Sequence, residues 1–205
     1  MEVKNGDDTV YFRGPELRDY KAWKKLRENS ADFLIPWEPR WPADDLTWTG
    51  YRRRLKFVRQ DLKNGVGLTF FIFHRDTDQL LGGMTFSNIR HGSVRGCQLG
   101  YWMGEAYSGQ GYMKTAVNNA LYFLFTNTTL ERVEAVCLPE NERSIGLLQK
   151  LGFRKEGEIR QYMEINGERR DHLLFGILKT ELLVRQSQAG QEKQADTKTY
   201  EASAV

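Results

Sequence analysis

The stretch Leu99 to Lys114, LGYWMGEAYSGQGYMK, constrains the fold more tightly than any other part of the sequence. An apolar run stops at Met103, glycines punctuate positions 104, 109 and 111, and helix-forming residues follow from Tyr112. Strand, glycine loop and helix in that order leave the first N–H groups of the helix unpaired, which favours an anion in front of them. Glycines at 109 and 111 let the backbone come close to a pyrophosphate. Gly109, Gln110, Gly111, Tyr112, Met113 and Lys114 therefore form a candidate phosphate cradle. A glycine pair before a helix also serves as a plain tight turn, so other parts of the chain have to decide.

The remaining elements follow from periodicity and punctuation. Thr9 to Arg13 reads as a strand, and Gly14-Pro15 opens a helix running to about Asn29. A second helix starts after Pro42, with Asp44 and Asp45 at its positively polarised end, and stops at Asn64-Gly65. Leu68 to Phe73 and Leu80 to Phe86 predict a hairpin, followed by a strand from Val94 to Met103. After the glycine loop come a helix to Phe125, a strand from Glu131 to Leu138, and Ile145, Leu148 and Leu151 at helical spacing before Gly152. Asn166-Gly167 suits a type I′ turn between two final strands, because both positions need positive φ. This order predicts a mixed α/β (α+β) domain over residues 8–185, with a mostly antiparallel sheet and helices on both faces. The polar tail, 186–205, has too little apolar surface to offset its ordering entropy and is predicted to be disordered.

Composition excludes several classes. No apolar run is long enough to span a membrane, and Met1 to Asn5 lack the hydrophobic region of a secretion signal, so a cytoplasmic location is expected. Cys97 and Cys137 have no CxxC spacing, so reduced thiols and no metal are expected. A net charge of +3 leans basic without the strongly basic, clustered character expected of a nucleic-acid-binding domain, and charge alone decides nothing. Arg52-Arg53-Arg54 reads as a solvated helix face, and a monomer or weak dimer without direct nucleic-acid contact is expected.

A second block lies one strand beyond the first: Asn141-Glu142-Arg143-Ser144, then Leu147-Leu148-Gln149-Lys150-Leu151-Gly152-Phe153. The pair resembles the two diagnostic segments of the GNAT N-acetyltransferases, the Q/R-x-x-G-x-G/A pyrophosphate loop and the N-x-x-S…L-G-F helix. The resemblance implies the GNAT fold, with two central strands splayed apart and acetyl-CoA as co-substrate in the gap. By motif position, the backbone of Tyr101, Trp102 and Met103 would pair with the pantetheine arm, and Asn141 would hold it from the other side. Gly109 to Lys114 would surround the pyrophosphate, and an N–H near Met103 would meet the oxyanion. Ser108 stands where most of the family has Gln or Arg, and Met113 where a small residue is usual; neither change removes a backbone donor. Leu148 takes the place of the tyrosine that many members use as acid for the departing thiolate.

Helical spacing puts Asn141, Ser144 and Leu148 on one face, so Ser144 is either the partner of the sulfur or a helix-terminus residue bonding local backbone. A thiol with a pKa of roughly 8.5 leaves as the anion near neutrality, so strong acid help is not obligatory. An α-amine with a pKa near 8 is roughly 10% neutral at pH 7, against on the order of 0.04% for a lysine amine. An N-terminal acceptor therefore needs little base.

Outside the cleft, NSADFLIPWEP (Asn29 to Pro39), FRKEG (Phe153 to Gly157), and Asn166-Gly167 followed by Arg170-Asp171-His172 resemble RimJ-type ribosomal-protein-alanine acetyltransferases. That resemblance implies a protein N-terminus as acceptor, a ribosomal protein in particular. Trp37 and Glu38, stiffened by Pro36 and Pro39, would wall the acceptor site, or else form an aromatic plug with an exposed carboxylate. Asp171 would bind or deprotonate the amine, or pair with Arg169, Arg170 or His172. Glu105 is a further substrate-site candidate. Glu134 reads as a structural ion pair, His172 as a structural imidazole, and His74 and His91 as surface turn residues. Ser144, Asp171 and Glu38 are the expected catalytic set, acting by direct transfer without an acyl-enzyme. The rivals are acetylation of a small amine (a polyamine, amino acid or antibiotic) and a silent acyl-CoA-binding regulator docked on RNA or a ribosomal particle.

Overall fold

The computed structural model describes residues 9–185. Strands β1 (Val10–Arg13), β2 (Leu68–His74), β3 (Leu80–Arg90), β4 (Gly96–Met103), β5 (Arg132–Cys137), β6 (Arg154–Ile165) and β7 (Glu168–Leu178) form one sheet ordered β1-β2-β3-β4-β5-β7-β6. β4 and β5 run parallel, and the other neighbours are antiparallel. The mixed α/β architecture read from the element order is the one observed.

Alternation along β2 divides the core between two faces. Ile72 joins Leu99, Val133 and the residues Val117, Leu121 and Phe125 of α4 (Tyr112–Asn127). Phe71 and Phe73 instead meet Trp23 of α1 (Tyr20–Asn29) and Tyr51 and Leu55 of α3 (Trp48–Asn64). Helices cover both faces because the central strands are apolar on both sides. The helix α5 (Glu142–Leu151) packs on the α4 side through Leu148 and Leu151. Leu148 is fully buried, so the position where the resemblance implied a tyrosine serves core packing here.

Several boundaries differ from the sequence reading. Pro15 does not open α1. The buried Asp19 accepts from the Glu16 N–H at 2.8 Å and holds both Nη groups of Arg13, which supports a 3-10 turn over Leu17–Asp19 before the α-helix starts. Asp44 and Asp45 lie outside α3, because the Thr47 hydroxyl accepts from the Gly50 N–H and supplies the cap. The two aspartates pair with Arg53 and Arg54, which splits the arginine triplet. A short helix α2 (Ala31–Leu34) and a 3-10 turn over Ile35–Trp37 were not expected, and β3 extends past Phe86 to Arg90. Its outer end has no apolar period, and Asn88 sits at φ 50°.

Other expectations hold. Asn166 (φ 48°) and Gly167 (φ 92°) turn the last hairpin. Glu134 accepts from Arg90 and Arg132, the structural ion pair read from the sequence. Residues 179–185 are helical and bring Leu182 into the core. The tail predicted at 186–205 lies outside the described residues. Among those described, no helix is long and apolar enough to cross a membrane.

Candidate active site

β4 pairs with β5 only from Gly96↔Arg132 to Leu99↔Ala135, yet β4 continues to Met103 and β5 to Cys137. Its other edge stays paired with β3 as far as Gly82↔Met103. The two parallel strands therefore diverge, as the resemblance implied, and the gap opens into a cavity of about 850 Å³. That is the size of a small-molecule site. Tyr101, Trp102, Met103, Gly109, Gly111, Tyr112, Met113, Lys114, Asn141 and Ser144 line it, together with Trp37, Glu38 and Glu105. Gln110 does not; its amide donates to the Ala106 carbonyl at 2.8 Å.

Gly109 (φ 78°) and Gly111 (φ 87°) lie in the left-handed region, where a Cβ is strained. A Cβ on either would meet nothing within 4 Å, so the space before them is open. The Ser108 N–H bonds the Glu105 carbonyl and the Thr115 N–H bonds the Gly111 carbonyl. Among the described residues, no N–H from Gly109 to Lys114 has an acceptor. A row of free donors at a helix start, facing a cavity, fits a pyrophosphate.

On the α4–α5 side, the Tyr101 hydroxyl lies 2.7 Å from Ser144 Oγ. Asn141 Oδ1 accepts from the Ser144 N–H at 3.1 Å and caps α5, which fixes where the serine points. Burial pushes the Tyr101 phenol above its ordinary value, against the opposing pull of the Ser144 hydrogen bond. The Cys137 thiol is raised by burial in the same way, again opposed by Ser144. Both groups stay protonated near neutrality, so this corner presents donors and no anion. The sequence reading used only the backbone of Tyr101, and it had no signal that the phenol reaches α5.

The Trp37-Glu38 side of the cavity is built around a residue the sequence reading missed. Arg27, buried in α1, donates through both Nη groups to Glu38, at 2.8 and 2.6 Å, and Trp41 Nε1 adds a third bond at 2.7 Å. The guanidinium lies 4.0 Å over the Trp41 ring and 5.0 Å from that of Trp102. Its spacing of one turn from the buried Trp23 was the available signal. The Asn166 N–H donates to the Glu38 carbonyl at 3.1 Å and fastens the same loop to the last hairpin.

Asp171 requires a correction. It is not among the residues that line the cavity, and its carboxylate accepts from the Gln161 N–H at 2.7 Å, beside an irregular stretch of the β6–β7 ladder. The next residue, His172, is buried and lines the cavity instead. Its Nδ1 is 3.0 Å from the Arg170 carbonyl, and its ring packs edge-on to Tyr162.

Diverging strands beside an open helix start are the arrangement that a transferase using a nucleotide thioester needs. The acetyltransferase (GNAT) domain pattern matches residues 9–154. A [ribosomal protein uS5]-alanine N-acetyltransferase of Escherichia coli (strain K12) is 35% identical over 164 residues, covering 78% of this chain and 84% of that protein. The ribosomal-protein-S5-alanine acetyltransferase of Vibrio fischeri superposes with a TM-score of 0.79 at 28% identity, over 87% of this chain and 97% of that one. Mycobacterium smegmatis RimJ, in complex with CoA-disulfide, gives 0.78 at 31% identity, over 87% and 89%. The chain belongs to the GNAT acetyltransferase family and is an acetyl-CoA-dependent N-acetyltransferase.

Proposed function

We propose that this enzyme acetylates the N-terminal α-amine of a protein, specifically a ribosomal protein that begins with alanine. It acts in the cytoplasm as a monomer or weak dimer, through one catalytic domain over residues 8–185. The observation that carries the reading is the Trp37-Glu38 wall of the cavity, held by Arg27, Trp41 and Asn166 in the segment that resembles the RimJ type. The Escherichia coli relative, named for the alanine of uS5, supports the acceptor, and the RimJ complex with CoA-disulfide supports the donor.

The free N–H groups from Gly109 to Lys114 hold the pyrophosphate, while the unpaired edge of Tyr101, Trp102 and Met103, with Asn141 opposite, holds the pantetheine arm. When bound, acetyl-CoA supplies an activated acyl group on a good leaving thiol. Trp37 shapes the acceptor entrance. Glu105, which has no cationic partner among the described residues, attracts the ammonium. Glu38 is already bonded by Arg27 and Trp41, so its part is to keep the wall rigid.

The Tyr101 and Ser144 hydroxyls hydrogen-bond the departing sulfur. Tyr101→Phe and Ser144→Ala are each expected to lower kcat about tenfold, the value of one hydrogen bond, and to leave acetyl-CoA affinity unchanged. Combining them should cost little more than either alone, because the pair acts as one unit; additive losses in single-turnover rates would show two separate roles.

The functional reading is tested by CoA release and mass spectrometry on a panel of acceptors. An alanine-starting ribosomal-protein peptide should gain one acetyl group at its α-amine. Turnover confined to small amines would overturn the reading.

A further inference from the structure

We propose that His172 is the base that takes the proton from the acceptor amine, an inference that rests on the acetyl-transfer reading above. Leu173 and Phe175 of β7 enter the α4–α5 core, so alternation sends His172 to the opposite face of the sheet. Trp102 packs on that face, against the Trp23 and Tyr51 cluster. Tyr162 packs there edge-on to the imidazole, and its hydroxyl receives the Gln98 amide at 3.0 Å.

The Arg170 carbonyl, 3.0 Å from Nδ1, can only accept a hydrogen bond. Nδ1 therefore carries the proton of the neutral ring, and Nε2 is left as the basic nitrogen. No described group bonds Nε2. The residue is only 3% exposed, yet it is among those that line the cavity. An imidazole whose tautomer is set from behind, with its lone pair left for the cavity, has the arrangement that general base catalysis requires.

The two carboxylates of the expected catalytic set serve less well. Glu38 is bonded by Arg27 and Trp41, and Asp171 lies outside the cavity lining with its carboxylate on the Gln161 N–H. His172 also lies across the sheet from Tyr101 and Ser144, so the amine and the sulfur are served from opposite faces of the gap. In the step, the amine nitrogen bonds to the thioester carbonyl carbon and the C–S bond breaks, its electron pair going to sulfur. The surplus proton of the nitrogen passes to Nε2 and from there to solvent. The thiolate departs hydrogen-bonded to the Tyr101 and Ser144 hydroxyls.

His172→Asn keeps a donor for the Arg170 carbonyl and removes the basic nitrogen. With an alanine-starting peptide its kcat should fall about 100-fold, while acetyl-CoA affinity by calorimetry stays as in the wild type. In His172→Ala, added imidazole should restore turnover in proportion to its concentration. In the unaltered protein, whose three histidines make 15N NMR signals few, His172 should show the Nδ1–H tautomer. A His172→Asn variant within threefold of wild type, an Ala variant deaf to imidazole, or an Nε2–H tautomer overturns the base assignment alone. A wild-type protein that releases no CoA with the peptide overturns the functional reading, and the base falls with it.

Discussion

Gly111→Glu should weaken acetyl-CoA binding by at least about 100-fold, a loss of about 2.7 kcal/mol. At φ 87° any side chain at position 111 is strained, at a cost of about 1–2 kcal/mol that falls on the stability of the fold. The new Cβ meets nothing within 4 Å, so the fold itself accommodates it. The carboxylate then stands where the pyrophosphate belongs, occupies the free N–H groups and repels the incoming charge. Gly111→Ala separates the causes, since it adds the strain and no charge and should lose far less affinity. Calorimetry on variants with a wild-type circular dichroism spectrum decides the matter; unchanged affinity in the glutamate variant would remove the cradle from the site.

Arg27→Ala is expected to cost about 3 kcal/mol of stability, because it leaves a half-buried carboxylate without its cation. The side chains of Arg27 and Glu38 are 6% and 22% exposed, so solvent screens the pair poorly. The same change strips the guanidinium from the faces of Trp41 and Trp102. For a chain of this length the melting temperature should drop by about 6 °C or more. Arg27→Lys should recover only part of the loss, since an ammonium does not match both carboxylate oxygens at once. Arg27→Met combined with Glu38→Gln should recover more, because no buried charge remains. The acceptor KM should rise in the single variant as the Trp37-Glu38 wall loosens, while the KM for acetyl-CoA should hold. A melting temperature equal to wild type would mean that the pair contributes nothing to the wall.

Legibility followed the range of the interactions involved. The hairpin at Asn166-Gly167, the end of α3 at Gly65 and the glycine loop before α4 were all readable, because each depends on the φ angles of a few adjacent residues. Where two local signals compete, the bond that forms is not always the one the local pattern favours. Pro15 and the Asp44-Asp45 pair both looked like helix starts, but Asp19 and Thr47 form the bonds that set them. The proposed CoA side was legible because it is made of backbone N–H groups and glycines that sit inside one contiguous motif.

By itself the sequence determined the order of the elements, the two-block signature and the cradle, all matters of spacing within a segment. Only the tertiary structure decided that His172 rather than Asp171 faces the cavity, that Arg27 rather than solvent holds Glu38, and that the Tyr101 phenol reaches Ser144 from another element. Those outcomes turn on register and on which face of a strand meets which helix. A shift of one residue exchanges the two faces, and nothing within the strand's own sequence reports what lies opposite.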